Sequence, residues 1–172
     1  MSLISFGTNM EVGPLIARSS EYSKSKLPID ANKIIDRLWQ GSKPPSGNIL
    51  RELGFDVLVL AAMEHQIPAS EFPGMTVIHV PLDDAKYVPS EEARRVAYRV
   101  AKMWRRGARI LITCSMGLNR SGLILALVIR YITGKSGIEA VADVQRARRG
   151  ALFNPYFRKY LERLPSFKIK KT

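Results

Sequence analysis

The chain has 172 residues, 46% of them apolar and 24% charged. That suffices to bury one core, is short for two domains, and excludes general disorder. The single cysteine, Cys114, rules out an intrachain disulfide, a cysteine-rich zinc site and a Cys-x-x-Cys redox pair, and two histidines argue against a histidine-rich metal site. The net charge of +12 is unevenly spread, with 7 basic and 10 acidic groups in residues 1–85 against 20 basic and 5 acidic in residues 86–172. A basic half of this kind fits either a solvated surface or an anionic partner: nucleic acid, a lipid headgroup or a phosphorylated substrate.

Met1-Ser2-Leu3-Ile4-Ser5-Phe6-Gly7 has neither the basic start nor the apolar run of a secretory signal. The longest apolar run, Leu123 to Ile129, falls far short of the ~20 residues that span a bilayer. The expectation is a cytoplasmic monomer with no membrane partner. Residues 1–30 read as an N-terminal arm, 31–164 as one domain, and 165–172 as a basic, frayed tail.

In chain order, Ile34–Trp39 reads as the first strand. Ser46–Leu53 reads as a short helix closed by Gly54. Asp56–Ala61 and Met75–Leu82 are further strands, the former continuous in Val57-Leu58-Val59-Leu60. Pro89–Arg106 places Val96, Ala97, Val100, Ala101 and Trp104 on one helical stripe opposite Arg95, Arg99, Lys102 and Arg106. Ser90 is its expected N-cap, and Gly107 ends it. Arg109–Thr113 is a fourth strand, again continuous, as strands covered on both faces are. Three helices follow: Arg120–Thr133, apolar on nearly every side, then Ser136–Arg149, then Asn154–Leu164 with an Asn cap and Pro155 at its first position. Strands alternating with helices predict an α/β domain: a mostly parallel central sheet of four to five strands flanked by helices. His79, inside a strand, reads as a packing residue, and Glu64-His65-Gln66 as a surface loop that could line a pocket mouth.

Chemistry concentrates where the fourth strand ends, at Cys114-Ser115-Met116-Gly117-Leu118-Asn119-Arg120-Ser121-Gly122. Ligands in open α/β sheets bind at the carboxyl ends of strands, and a helix N-terminus there offers free N–H groups to a phosphate. Five residues separate Cys114 from Arg120, so the loop can close into a cradle with the cysteine at its floor. The guanidinium then folds over the rim and grips two phosphate oxygens. Gly117 permits a turn of positive φ that aims its neighbours' N–H groups inward. Together these positive groups favour the thiolate nucleophile.

Cys114-(x)5-Arg120-Ser121, with its preceding strand and following long apolar helix, resembles the catalytic loop of the cysteine-dependent protein tyrosine phosphatases. Residues 31–164 resemble the small dual-specificity branch, and Arg37-Leu38-Trp39-Gln40-Gly41-Ser42 is similar to its first-strand motif. The resemblance implies a catalytic domain over 31–164 that needs no metal or cofactor. Cys114 would be the nucleophile, and Arg120 would bind phosphate with the loop Ser115, Met116, Gly117, Leu118 and Asn119. Ser121 would hydrogen-bond the departing thiolate. The family's proton donor lies on a loop after an upstream strand. Val80-Pro81-Leu82-Asp83-Asp84-Ala85 supplies it, with Asp84 aligning better than Asp83; both also fit a role as turn or cap residues. Asn154 matches a recurrent asparagine, although its cap role accounts for it alone. Thr113 stands where the family usually has histidine. The implied substrate is a protein or peptide carrying phosphotyrosine, and phosphoserine or phosphothreonine if the pocket is shallow. Gly117-Leu118-Asn119-Arg120 also resembles the loop of RNA 5′-triphosphatases, which leaves an RNA 5′ end as an alternative substrate. An inactive phosphate-reading module is the alternative outside enzymes.

Overall fold

The computed structural model describes residues 27–169. Most of the expected N-terminal arm and the last three residues of the basic tail lie outside the described residues. Five strands form one sheet: β1 (Ala31–Ile35), β2 (Leu38–Gly41), β3 (Val57–Ala62), β4 (Thr76–Leu82) and β5 (Ile110–Thr113). Their order is β1-β2-β5-β3-β4. Only β1 and β2 pair antiparallel; β2–β5, β5–β3 and β3–β4 are parallel. The helices are α1 (Ile49–Glu52), α2 (Ser90–Arg105), α3 (Arg120–Thr133), α4 (Gly137–Ala147) and α5 (Pro155–Glu162).

The apolar strands divide their side chains between two cores with period two. Val57, Val59, Ala61, Ile110 and Ile112 face a large core shared with α2 to α5. Leu58, Leu60 and Leu111 face a smaller one built from Leu50, Leu53, Phe55 and Phe72 around α1. Burial on both faces is why these strands read as unbroken hydrophobic runs. α3 runs through the larger core, with every residue from Arg120 to Arg130 buried.

Four boundaries depart from the sequence expectation. Ile34–Trp39 is a hairpin rather than one strand: Arg37 adopts φ 56° and reverses the chain so that Ile35 pairs with Leu38. The short helix shrinks to α1 because its other residues make loop contacts, such as Gly47 N–H donating to Glu71 O at 2.7 Å. Ser90 is the first residue of α2 rather than its cap; Pro89 holds the cap position without a side-chain bond. α4 stops at Ala147, and Arg148 is extended, which frees its side chain to turn toward the cradle. The Asn154 cap of α5 follows expectation, and α4 carries a cap that the sequence reading does not assign. Ser136 and Glu139 form a reciprocal capping box, and Asn154 Oδ1 accepts from Tyr156 and Phe157 N–H.

His79 is exposed on β4, and its Nε2 lies 2.8 Å from Ile67 O, so it is no core packing residue. Residues 165–169, expected to fray, are tied to α3. Arg130 donates to Pro165 O at 2.6 Å and lies against the Phe167 ring, and Phe167 N–H donates to Gly134 O. No helix among the described residues is long and apolar enough to cross a membrane.

Candidate active site

Cys114 follows β5, the central strand, and Arg120 opens α3, so the residues between them turn around the mouth of the sheet. Gly117 has φ 66°, and a Cβ there would come within 2.3 Å of Gly41 C. The loop can therefore pack on the end of β2 only with glycine at 117. Cys114 N–H donates to Gly41 O at 3.3 Å, and Lys43 N–H to Ser115 O at 3.2 Å, which seats the loop on that strand end.

Cys114 is 4% exposed, with Sγ 3.3 Å from Ser121 Oγ. Gln40 Nε2 donates to the same Oγ at 3.1 Å. That bond occupies an acceptor site on Ser121 and leaves the serine proton for the sulfur. Thr113 is buried and donates through Oγ1 to Val59 O at 3.1 Å, tying β5 to β3 just before the cysteine.

Arg120 is also buried, and its guanidinium is held from outside the loop. Its two terminal nitrogens donate to the two oxygens of Glu64 at 2.5 and 2.7 Å. One also donates to Leu82 O at 3.2 Å, the other to Ser115 Oγ at 3.1 Å. Ser115 Oγ donates in turn to Glu64. The pair raises the Arg120 pKa against the opposing effect of burial, and Arg120 and then Ser115 hold the Glu64 carboxyl far below the usual carboxylate range. Arg120 Nε is buried without a hydrogen-bond partner among the described residues. A buried cationic N–H left unpaired beside a buried thiol is costly unless an anion meets it.

Asp84 is held across the cradle. Its Oδ2 accepts from Asn119 Nδ2 at 2.9 Å, its Oδ1 from Asn154 Nδ2 at 2.7 Å. Asn119 Oδ1 closes the ring by accepting from Asn154 N–H at 2.9 Å. Asp83, exposed like Asp84, has no such tether among the described residues.

Behind the loop lies Arg148, which is 7% exposed. Its Nε donates to Gly117 O at 2.6 Å and a terminal nitrogen to Met116 O at 3.1 Å, while Asp30 and Asn32 take its remaining N–H groups. Holding those carbonyls from behind fixes the peptide planes of the cradle.

The structure thus brings Cys114, the Ser115–Asn119 loop, Arg120, Ser121 and Asp84 together. Sequence reasoning did not single out Gln40 or Arg148 for the site, and Glu64 is an ion-pair partner of Arg120 rather than part of a plain surface loop. Its signal was faint: Glu64 comes just after β3, and the cradle just after β5, the parallel neighbour of β3. Among the described residues no cluster of histidine, cysteine and carboxylate side chains could hold a metal ion.

No protein-family model matches the chain, and no curated protein matches it significantly. Solved structures do. A mouse protein described as a dual-specificity phosphatase, solved with zinc tungstate, is 21% identical, covers 83% of this chain and 91% of its own, and superposes with a TM-score of 0.71. Human DUSP28 is 23% identical over 80% of this chain and 94% of its own, with a TM-score of 0.68. Tk-PTP in its active form is 28% identical over 77% of this chain and 96% of its own, with a TM-score of 0.66. The chain has the fold of these dual-specificity phosphatase structures. These neighbours support a phosphatase.

Proposed function

We propose that the chain hydrolyses phosphate monoesters of proteins, phosphotyrosine first and phosphoserine or phosphothreonine second, through a phosphocysteine on Cys114. The observation that carries this reading is the buried Nε of Arg120, unpartnered among the described residues, at the end of the same loop as Cys114. A dianionic phosphate supplies the acceptor that this N–H lacks, and the loop N–H groups and the α3 dipole add to the field.

In the first step the Cys114 thiolate attacks phosphorus, and the ester bond to the leaving oxygen breaks. Asp84, in its acid form, gives that oxygen a proton, so the alcohol or phenol departs neutral. In the second step Asp84 takes a proton from water, the water oxygen bonds to phosphorus, and the phosphorus–sulfur bond breaks. The sulfur leaves as thiolate, stabilised by the Ser121 hydroxyl, and inorganic phosphate is released. Glu64, Leu82 O and Ser115 take the terminal N–H groups of Arg120. With Glu64 orienting it, the guanidinium therefore offers the phosphate its Nε–H rather than the two-oxygen grip expected from the sequence, and no step calls for a metal.

The test is hydrolysis of para-nitrophenyl phosphate, followed by phosphotyrosine peptide beside triphosphate-ended RNA. Turnover by the wild type and none by Cys114→Ser is expected. Asp84→Ala should lower turnover about 10²- to 10⁴-fold, and Asp83→Ala far less. Undiminished turnover in Cys114→Ser overturns the mechanism, the reverse ranking of the aspartates reassigns the acid, and faster release of γ-phosphate from RNA replaces the protein substrate. Phosphopeptide binding by a wild type that turns over nothing would instead define a phosphate-reading module.

A further inference from the structure

The large apolar side chains left exposed are not scattered at random. Met63, Tyr87, Met116, Phe153 and Tyr156 are all exposed, and each lies in the cradle or within three residues of Glu64, Asp84 or Asn154. They account for five of the nine exposed large apolar residues among the described residues. Apolar side chains gathered around one site mark a surface that binds something.

A groove of about 280 Å³ holds two of these five residues, Phe153 and Tyr156, together with Asp84. Asp84, Ala85 and Lys86 line one part of it, and Phe153 and Tyr156 line another. Phe153 is 61% exposed and Tyr156 45%, so neither is explained by the core. The volume lies just below the ~300–1,000 Å³ of pockets for drug-sized ligands, and suits one side chain.

The chemistry at Asp84 says what must occupy the groove. A proton donor has to touch the leaving oxygen, and everything bonded to that oxygen is the body of the substrate. Substrate atoms beyond the phosphate therefore pass along the groove that Asp84 itself lines. We propose that this groove is a subsite for a large apolar side chain, aromatic or aliphatic, next to the phosphorylated residue of a protein substrate. The proposal rests on the phosphatase reading for the role of Asp84. The apolar side chain would bury itself between Phe153 and Tyr156, whose flat rings offer contact area at little entropic cost.

The experiment uses full-length Cys114→Ser protein, which separates binding from turnover. Fluorescence polarisation would compare two phosphotyrosine peptides, identical except for phenylalanine or glycine beside the phosphotyrosine. Inorganic tungstate competes as a probe of the cradle alone. The expected result is about ten-fold tighter binding of the phenylalanine peptide, which is about 1.4 kcal/mol. Adding Phe153→Ser and Tyr156→Ser should reduce that ratio to two-fold or less, with tungstate competition retained as evidence of an intact cradle. Equal affinity for the two peptides, or a preference that survives both serine substitutions, overturns the subsite while leaving the phosphatase reading intact. Failure of peptides and tungstate alike to bind removes the phosphatase reading and the subsite with it. Binding of triphosphate-ended RNA that is tighter than either peptide and lost with Phe153→Ser assigns the groove to a nucleobase and overturns the protein substrate.

Discussion

The two sides of the site are held by different chemistry. The cradle is fixed from within the fold: Arg120 by an ion pair to Glu64, the loop carbonyls by a buried Arg148, and the loop's start by Cys114 N–H donating to Gly41 O. The acid side is exposed and is held by two neutral amides, Asn119 and Asn154. A binding site for a compact, highly charged group gains from rigidity, because fixed dipoles need not reorganise as charge moves. A proton donor has to serve two steps, and weaker neutral tethers allow it small movements. The same contrast fits the exposure of Phe153 and Tyr156 beside Asp84, the proposed acid, where substrates differ, rather than at the cradle floor, where every phosphate is alike.

The comparison can be broken most severely from the cradle. Gly117→Val adds a Cβ where a backbone atom already lies 2.3 Å away, at a φ of 66°. Overpacking and strain together should cost at least ~3 kcal/mol and abolish turnover; a thermal melt and a para-nitrophenyl phosphate assay check both. Wild-type activity in this variant would show that the loop does not need its contact with β2.

Glu64→Gln should lower kcat/KM about 100-fold, the cost of a small misplacement of a positioning group. It also carries a pH signature. In the unfolded chain Glu64 titrates near 4.5, whereas Arg120 keeps it ionised far below that in the folded chain. The carboxylate's contribution is therefore whole above about pH 4.5 and is lost as the pH falls below it toward the folded value. Melting followed from about pH 6 to pH 3 should show the wild type losing stability more steeply than Glu64→Gln.

Arg148→Met removes the brace but touches no substrate. The carbonyls of Gly117 and Met116 then lose a partner, at about 1–3 kcal/mol. If the brace aims the cradle N–H groups, inhibition by inorganic phosphate weakens about ten-fold when measured well below the melting temperature. Lower stability with unchanged phosphate inhibition would mark Arg148 as a purely structural tie.

The smallest effect is expected on the acid side. Asn154→Asp keeps an N-cap oxygen for α5 but replaces the amide that holds Asp84 with a like charge. Measured well below the melting temperature, the optimum pH for turnover should shift and kcat should fall a few-fold. An unaltered pH profile would show that Asp84 needs no tether.

Much of this was legible in the sequence because its signals are local. The Cys114-to-Arg120 loop, the unbroken strands, the apolar α3 and the Asn154-Pro155 cap each announce themselves within a dozen residues. The hairpin at Asp36-Arg37 did not, since arginine at positive φ is an uncommon turn residue and the flanking apolar residues read as one strand. Glu64 and Arg148 escaped for another reason. Their partners lie 56 and 31 residues away, and a surface glutamate or helix-end arginine looks the same in sequence whether it is solvated or buried against a loop. Only strand register and the termination of α4 decide which.

The brace at Arg148 has a consequence for how the molecule is assembled. It joins Asp30 and Asn32, near the start of the described chain, to a loop that also leans on Asn154 near the end of it through Asn119. Such pairings, separated by 116 and 118 residues in sequence, close large loops and form slowly. The cradle is thus completed only when the two ends of the fold have met. A ligand that fills it reports on, and stabilises, the whole chain, by about 2.7 kcal/mol at a hundred-fold excess over its Kd.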